Sequence, residues 1–95
     1  MMNPVRASST YYTYILLSQK DGHFYTGCTG DLRKRLSEHN KELVTSTKGR
    51  GPLQLIYYEA CLNSKDAFMR EKYLKTGTGK RYLKNRLKRF LALTG

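Results

Sequence analysis

Residues 11–18, YYTYILLS, form an apolar run dense in aromatic and β-branched side chains, which reads as a buried β-strand. The pair Asp21-Gly22 follows within QKDGHF and favours a tight hairpin. HFYTG, residues 23–27, is then expected to return as the antiparallel partner. The chain is thereby committed to a sheet, and its 95 residues suggest one domain, residues 11–95, behind a loose leader, MMNPVRASST (1–10). A chain this short buries roughly 60–65% of its unfolded surface, enough for one small core and no large cofactor cavity.

The remaining elements follow from caps and periodicity. Asp31 is placed to cap a helix running to about Asn40, with Leu32 and Leu36 as its apolar stripe. KELVTSTKGRGP (41–52) reads as a polar, basic loop, and LQLIYYEA (53–60) as a third strand with Pro52 at its entrance. Ser64 is expected to cap a second helix over about 65–75, which TGTG (76–79) ends. KRYLKNRLKRFLAL (80–93) then reads as one amphipathic helix with Leu83, Leu87, Phe90 and Leu91 on one face. The sum is an α/β fold: a small, mostly antiparallel three-stranded sheet, hairpin plus one strand, flanked by three helices. GTGK (77–80) lacks the full phosphate-loop spacing and reads as a helix stop followed by a helix start.

Charge narrows the partners. Lys and Arg number 18 against 7 Asp and Glu, a net charge of +11, and residues 64–95 hold ten of those basic residues beside only Asp66 and Glu71. Such an excess predicts a polyanionic partner, most often nucleic acid. Cys28 and Cys61 form neither a CxxC nor a zinc spacing, and no signal peptide or membrane-length apolar run is visible. A reduced, cytoplasmic protein is the expectation.

Three groups of residues carry potential chemistry. Tyr14 and Tyr25 lie on the two hairpin strands and are expected on neighbouring sheet positions. Arg35 and His39, spaced i, i+4, share one face of the first helix, next to the Leu32/Leu36 stripe. Glu71 shares a helix face with Ala67 and Leu74, where a carboxylate is costly unless paired; a salt bridge to Arg35 is one expected partner, a bound cation another. Phosphodiester hydrolysis needs such a set: a group to deprotonate water, a guanidinium to neutralise the phosphate, and a carboxylate to hold a divalent metal.

The motifs sharpen this. YTY (Tyr12-Thr13-Tyr14), then YTG (Tyr25-Thr26-Gly27), DLRKRLSEHN, LIYYEA and AFMREKYLKTG together resemble the GIY-YIG nucleases over essentially residues 11–93. The resemblance is to the small stand-alone bacterial members and, more distantly, to the nuclease domain of the excision-repair incision subunit, which would imply DNA repair or recombination. It implies that Tyr14 and Tyr25 are the motif tyrosines, one of them acting as or assisting the general base. It implies that Arg35 stabilises the scissile phosphate, that His39 stands near the nucleophile, and that Glu71 alone binds Mg²⁺ or Mn²⁺. Gly27 closes the second motif and lets backbone approach the site. In the first motif Tyr12 and Thr13 replace Gly and Ile, and Cys28 stands where repair relatives often carry a base; Lys34 or the metal would compensate. Asn85 is a candidate for the asparagine that follows the metal-binding helix.

A one-metal DNA endonuclease is therefore the expected function, with Lys34, Lys48 and Arg50 as further substrate contacts. The alternative is a non-catalytic nucleic-acid-binding module using the basic last helix and the loop Lys48-Gly49-Arg50; an interaction with an acidic protein ranks third. Nothing reads base edges, so specificity would come from nucleic-acid structure, from ends or from a protein partner. Oligomeric state is left open.

Overall fold

The computed structural model describes residues 10–94, so the expected leader lies outside the described residues except for Thr10. The elements are β1 (Tyr11–Ser18), β2 (Phe24–Thr29), α1 (Leu32–Asn40), a 3-10 turn (Thr45–Thr47), β3 (Leu53–Cys61), α2 (Ser64–Leu74), α3 (Gly77–Arg86) and α4 (Lys88–Thr94). The sheet is antiparallel in the order β2-β1-β3.

The apolar run of YYTYILLS is explained by its place. β1 is the central strand and is covered on both faces, so successive residues are buried instead of alternating with polar ones. Tyr14 and Leu16 point to one face and pack with Leu53, Leu32 and Leu36, the α1 side. Ile15 points to the other face and packs with Leu74 of α2 and Leu83 of α3. Thr13, on that same face, donates its hydroxyl to the Ala67 carbonyl of α2 at 2.9 Å.

The hairpin forms as expected but through a longer loop than Asp21-Gly22 alone would make. Ser18 organises it. Its N–H reaches the His23 carbonyl at 3.0 Å, and its hydroxyl accepts the N–H groups of Lys20 and Asp21, both at 3.1 Å. Asp31 does cap α1, accepting the Lys34 N–H at 3.1 Å. At the far end of α1, the Asn40 amide brackets Leu53, donating to its carbonyl and accepting its N–H at 3.1 and 3.0 Å.

Three expectations change. Asn63, not Ser64, caps α2: its backbone is extended (φ −132°, ψ 128°) and its side chain accepts the N–H groups of Lys65 and Asp66. TGTG does end α2 and start the next helix, but that helix begins at Gly77 and not at Lys80. Thr76 caps α3 by accepting the Gly79 N–H at 3.0 Å, and Gly77–Gly79 form its first turn. The single helix expected over 80–93 is two, because Leu87, at φ −106° and ψ 16°, takes the backbone out of helical geometry between α3 and α4. The sheet is thus flanked by four helices.

Candidate active site

The site is built around the edge of β2 at Gly27. Tyr14 lies opposite Gly27 in the β1–β2 register. A Cβ at position 27 would fall on the Tyr14 hydroxyl and ring, so glycine is what lets the phenol cross the edge strand. The Tyr14 residue is 2% exposed. Its hydroxyl shares a 2.7 Å hydrogen bond with His39 Nε2, and the two rings meet edge-on at 5.6 Å. His39 Nδ1 in turn shares a 2.7 Å hydrogen bond with the buried hydroxyl of Thr47. A neutral imidazole has one donor and one acceptor nitrogen, so Tyr14, His39 and Thr47 form a polarised chain.

Electrostatics fix the resting protonation of that chain. Burial, reinforced by the Arg35 guanidinium, holds His39 below the ordinary histidine range, so it is neutral at neutral pH. Burial pushes the Tyr14 phenol up; Arg35 opposes that shift, while Glu71 and Cys28 add to it. Arg35 sits half-exposed in an i, i+3 ion pair with Glu38 at 3.1 Å, so its guanidinium is accessible from solvent.

Glu71 approaches from the α2 side of the sheet. Its side chain is 14% exposed and pairs with Lys75 Nζ at 2.8 Å, one turn on, instead of with Arg35. The Cys28 thiol is pushed up to about 11, first by burial and then by the neighbouring Glu71 carboxylate, so it stays protonated. Two faces of the sheet therefore converge on the phenol: Arg35 and His39 from α1, Glu71 from α2.

Tyr25 occupies the same sheet face as Tyr14, opposite Leu16, one step along the strand. Its hydroxyl donates to Asp21 Oδ2 at 2.8 Å, and that carboxylate raises the phenol. The Asp21 carboxyl is itself held at about 2, chiefly by the His23 N–H and also by Tyr25. Tyr14, Tyr25 and His39 line one cavity of about 320 Å³ together with Ser46, Lys75 and Lys80. A second, of about 390 Å³, is bordered by Cys28, Lys34, Arg35 and Glu38.

The structure thus brings Tyr14, Gly27, Arg35, His39 and Glu71 together, with Tyr25 and Lys34 on the adjoining cavities. Lys48 is exposed in the loop before β3. Arg50 lies 3.8 Å from Asp21 at the hairpin end, where it acts on Tyr25 and not on Tyr14. Asn85 is exposed on α3. Thr47 and Lys75 were not anticipated. Lys75 could have been found from its i+4 spacing to Glu71; Thr47, in a polar loop, carries no local signal.

Among the described residues no group of three or more His, Cys, Asp or Glu gathers as a ready-made metal cage. One recessed carboxylate, Glu71, fits a hard cation that would take its other ligands from water and substrate oxygens. Glu71 would hold that ion once Lys75 yields.

The sequence profile of the GIY-YIG catalytic domain matches residues 10–89. Among curated relatives, UPF0213 protein CPE1444 of Clostridium perfringens is 45% identical over 65 residues, covering 67% of this chain and 69% of the relative. UPF0213 protein SSP2268 of Staphylococcus saprophyticus is 39% identical over 75 residues, 78% and 90% of the two chains. The solution NMR structure of UPF0213 protein BH0048 from Bacillus halodurans is 34% identical and covers 78% of this chain and 81% of that one, with a TM-score of 0.49. The chain belongs to the GIY-YIG catalytic domain family, whose nucleases act on nucleic acid with the help of a metal ion, among its small UPF0213 proteins.

Proposed function

We propose that this chain is an endonuclease that hydrolyses DNA phosphodiester bonds with one divalent cation, Mg²⁺ or Mn²⁺. The observation that carries the reading is the convergence on one phenol of a neutral imidazole, an accessible guanidinium and a lone recessed carboxylate.

Each residue has a role its surroundings suit. Arg35 neutralises the scissile phosphate, exchanging its exposed Glu38 partner for phosphate oxygens. Tyr14, rather than Tyr25, handles the nucleophile's proton, because Tyr14 is coupled to Arg35 and Glu71 whereas the Tyr25 hydroxyl is committed to Asp21. The raised phenol is not a resident phenolate. Its oxygen accepts the proton of the attacking water as its own proton moves to His39 Nε2; the water oxygen bonds to phosphorus while the bridging P–O bond breaks, and the leaving sugar oxygen takes its proton from solvent. Thr47 fixes the imidazole for that transfer. A cation on Glu71, when bound, withdraws charge from the phosphate oxygens.

Cleavage of single-stranded, duplex and branched DNA in Mg²⁺ and Mn²⁺ tests the reading. Tyr14→Phe, Arg35→Ala and Glu71→Gln should each lower kcat by about 10²-fold or more. Equal activity in all four preparations would assign the cutting to a contaminant. Salt-sensitive DNA binding with no cleavage in either metal would leave the binding-module alternative.

A further inference from the structure

The catalytic cavity does not stand alone. It adjoins a second hollow of about 340 Å³, sharing Phe24, Tyr25 and Lys80 with it, and that hollow adjoins a third of about 660 Å³, sharing Gly22, Phe24 and Lys84. The three form one groove that leaves the site along the edge of β2 and passes the hairpin loop toward α4.

The two walls of this groove differ in chemistry. One wall carries Lys75, Lys80, Lys84 and Lys88 in order from the site outward. Lys80 and Lys84 are one helical turn apart on α3, about 6 Å at 1.5 Å per residue. The break at Leu87 leaves Lys88 of α4 facing the same hollow as Lys84. No carboxylate among the described residues forms an ion pair with Lys80, Lys84 or Lys88. The other lining is aromatic: His23, Phe24 and Tyr25. The nearby Asp21 carboxylate is ionised, but its cationic neighbour is Arg50 at 3.8 Å and it forms no ion pair with these lysines.

We infer that this groove is a track for one unpaired nucleic-acid strand, holding the nucleotides that flank the scissile phosphate. A single row of cations follows one backbone. Aromatic side chains along it can stack only with bases whose own faces are free, which a duplex hides. The track extends the proposed nuclease site and rests on that reading for its scissile end, while the lysine row and the aromatic wall stand on geometry alone.

Binding without cleavage separates the two. Anisotropy of a labelled single-stranded oligonucleotide, and of the same sequence as a duplex, is followed against NaCl in EDTA. The wild-type protein should bind the single strand more tightly. Lys80→Ala/Lys84→Ala/Lys88→Ala should flatten the log–log salt slope by about 2, at roughly 0.7 per lost single-strand contact. Phe24→Leu, which keeps an apolar side chain against the core, should weaken single-strand binding about 5-fold or more, within what one stacked base contributes. The control Lys41→Ala/Lys65→Ala/Lys72→Ala removes the same charge from lysines lining none of the three hollows and should change the slope by less. Circular dichroism confirms that each variant is folded. A control as impaired as the groove variant, or a preference for duplex, overturns the track. A flattened slope in a protein that never cuts retains the track and removes the nuclease; cutting with an unchanged slope does the reverse.

Discussion

At Gly27 one missing methyl group decides whether the phenol of Tyr14 can reach its partners. Gly27→Ala places a carbon where the Tyr14 ring now lies, and the ring is boxed in by a buried, hydrogen-bonded neighbour. Overpacking of this kind costs about 1–3 kcal/mol. The variant should therefore melt lower and lose the proposed activity although every side chain of the proposed site is present. Denaturant unfolding and cleavage on one preparation check both halves. His39 gives a second residue-scale prediction. Its folded pKa lies below the ordinary 6.5, so above pH 6.5 both folded and unfolded states hold it neutral and its contribution is constant. As pH falls through 6.5 the unfolded chain takes up the proton first. Stability should drop from there down to the folded pKa. His39→Gln should remove that part of the drop. Cleavage by the wild type should lose activity over the same acid limb, since an already protonated imidazole cannot take the Tyr14 proton.

Among the elements, the α2–α3 corner sets where Glu71 and the groove lysines stand relative to each other. Gly79 lies against the Tyr73 carbonyl and the Leu74 backbone, and any Cβ there would strike them. Backbone cannot swing aside as a side-chain tip can, so Gly79→Ala should reach or exceed the upper end of the same 1–3 kcal/mol range. Thr76→Ala removes the cap on the Gly79 N–H and should cost about 1 kcal/mol. Thermal melts rank the two, and Gly79→Ala should be the more damaging. Arg70 reinforces this corner. It forms two hydrogen bonds to Glu59 of β3, at 2.9 and 3.0 Å, and stacks against the rings of Tyr73 and Tyr82.

Across the molecule, local patterns in the sequence marked the strands, α1 and its Asp31 cap, because each rests on neighbours in the chain. Tyr14, Arg35, His39 and Glu71 were nameable because their spacing placed them on faces and the motifs matched. What escaped depends on contacts between distant segments. TGTG is legible as a helix stop and start, but the demand for Gly79 is not, because it comes from the packing of α2. Thr47 matters only because the loop folds back onto His39, 8 residues earlier. The groove exists only once α3 and α4 lie beside the hairpin. The net charge of +11, by contrast, is plain in the composition, and it yields a last prediction about the whole fold. The molecule measures 48 × 30 × 22 Å, so at about 0.01 M salt the roughly 30 Å Debye length spans its middle dimension and nearly all its cations repel one another. At about 1 M that length falls to roughly 3 Å and the repulsion is confined to neighbours. The opposing ion pairs are largely at the surface, where each contributes little. Added NaCl should therefore raise Tm, by about 4–8 °C for each kcal/mol of repulsion relieved, over the same range in which it loosens bound nucleic acid. Replacing Lys80, Lys84 and Lys88 by Glu should shrink that rise. A Tm that falls with salt would mean that the ion pairs, not the repulsion, govern the stability of this fold.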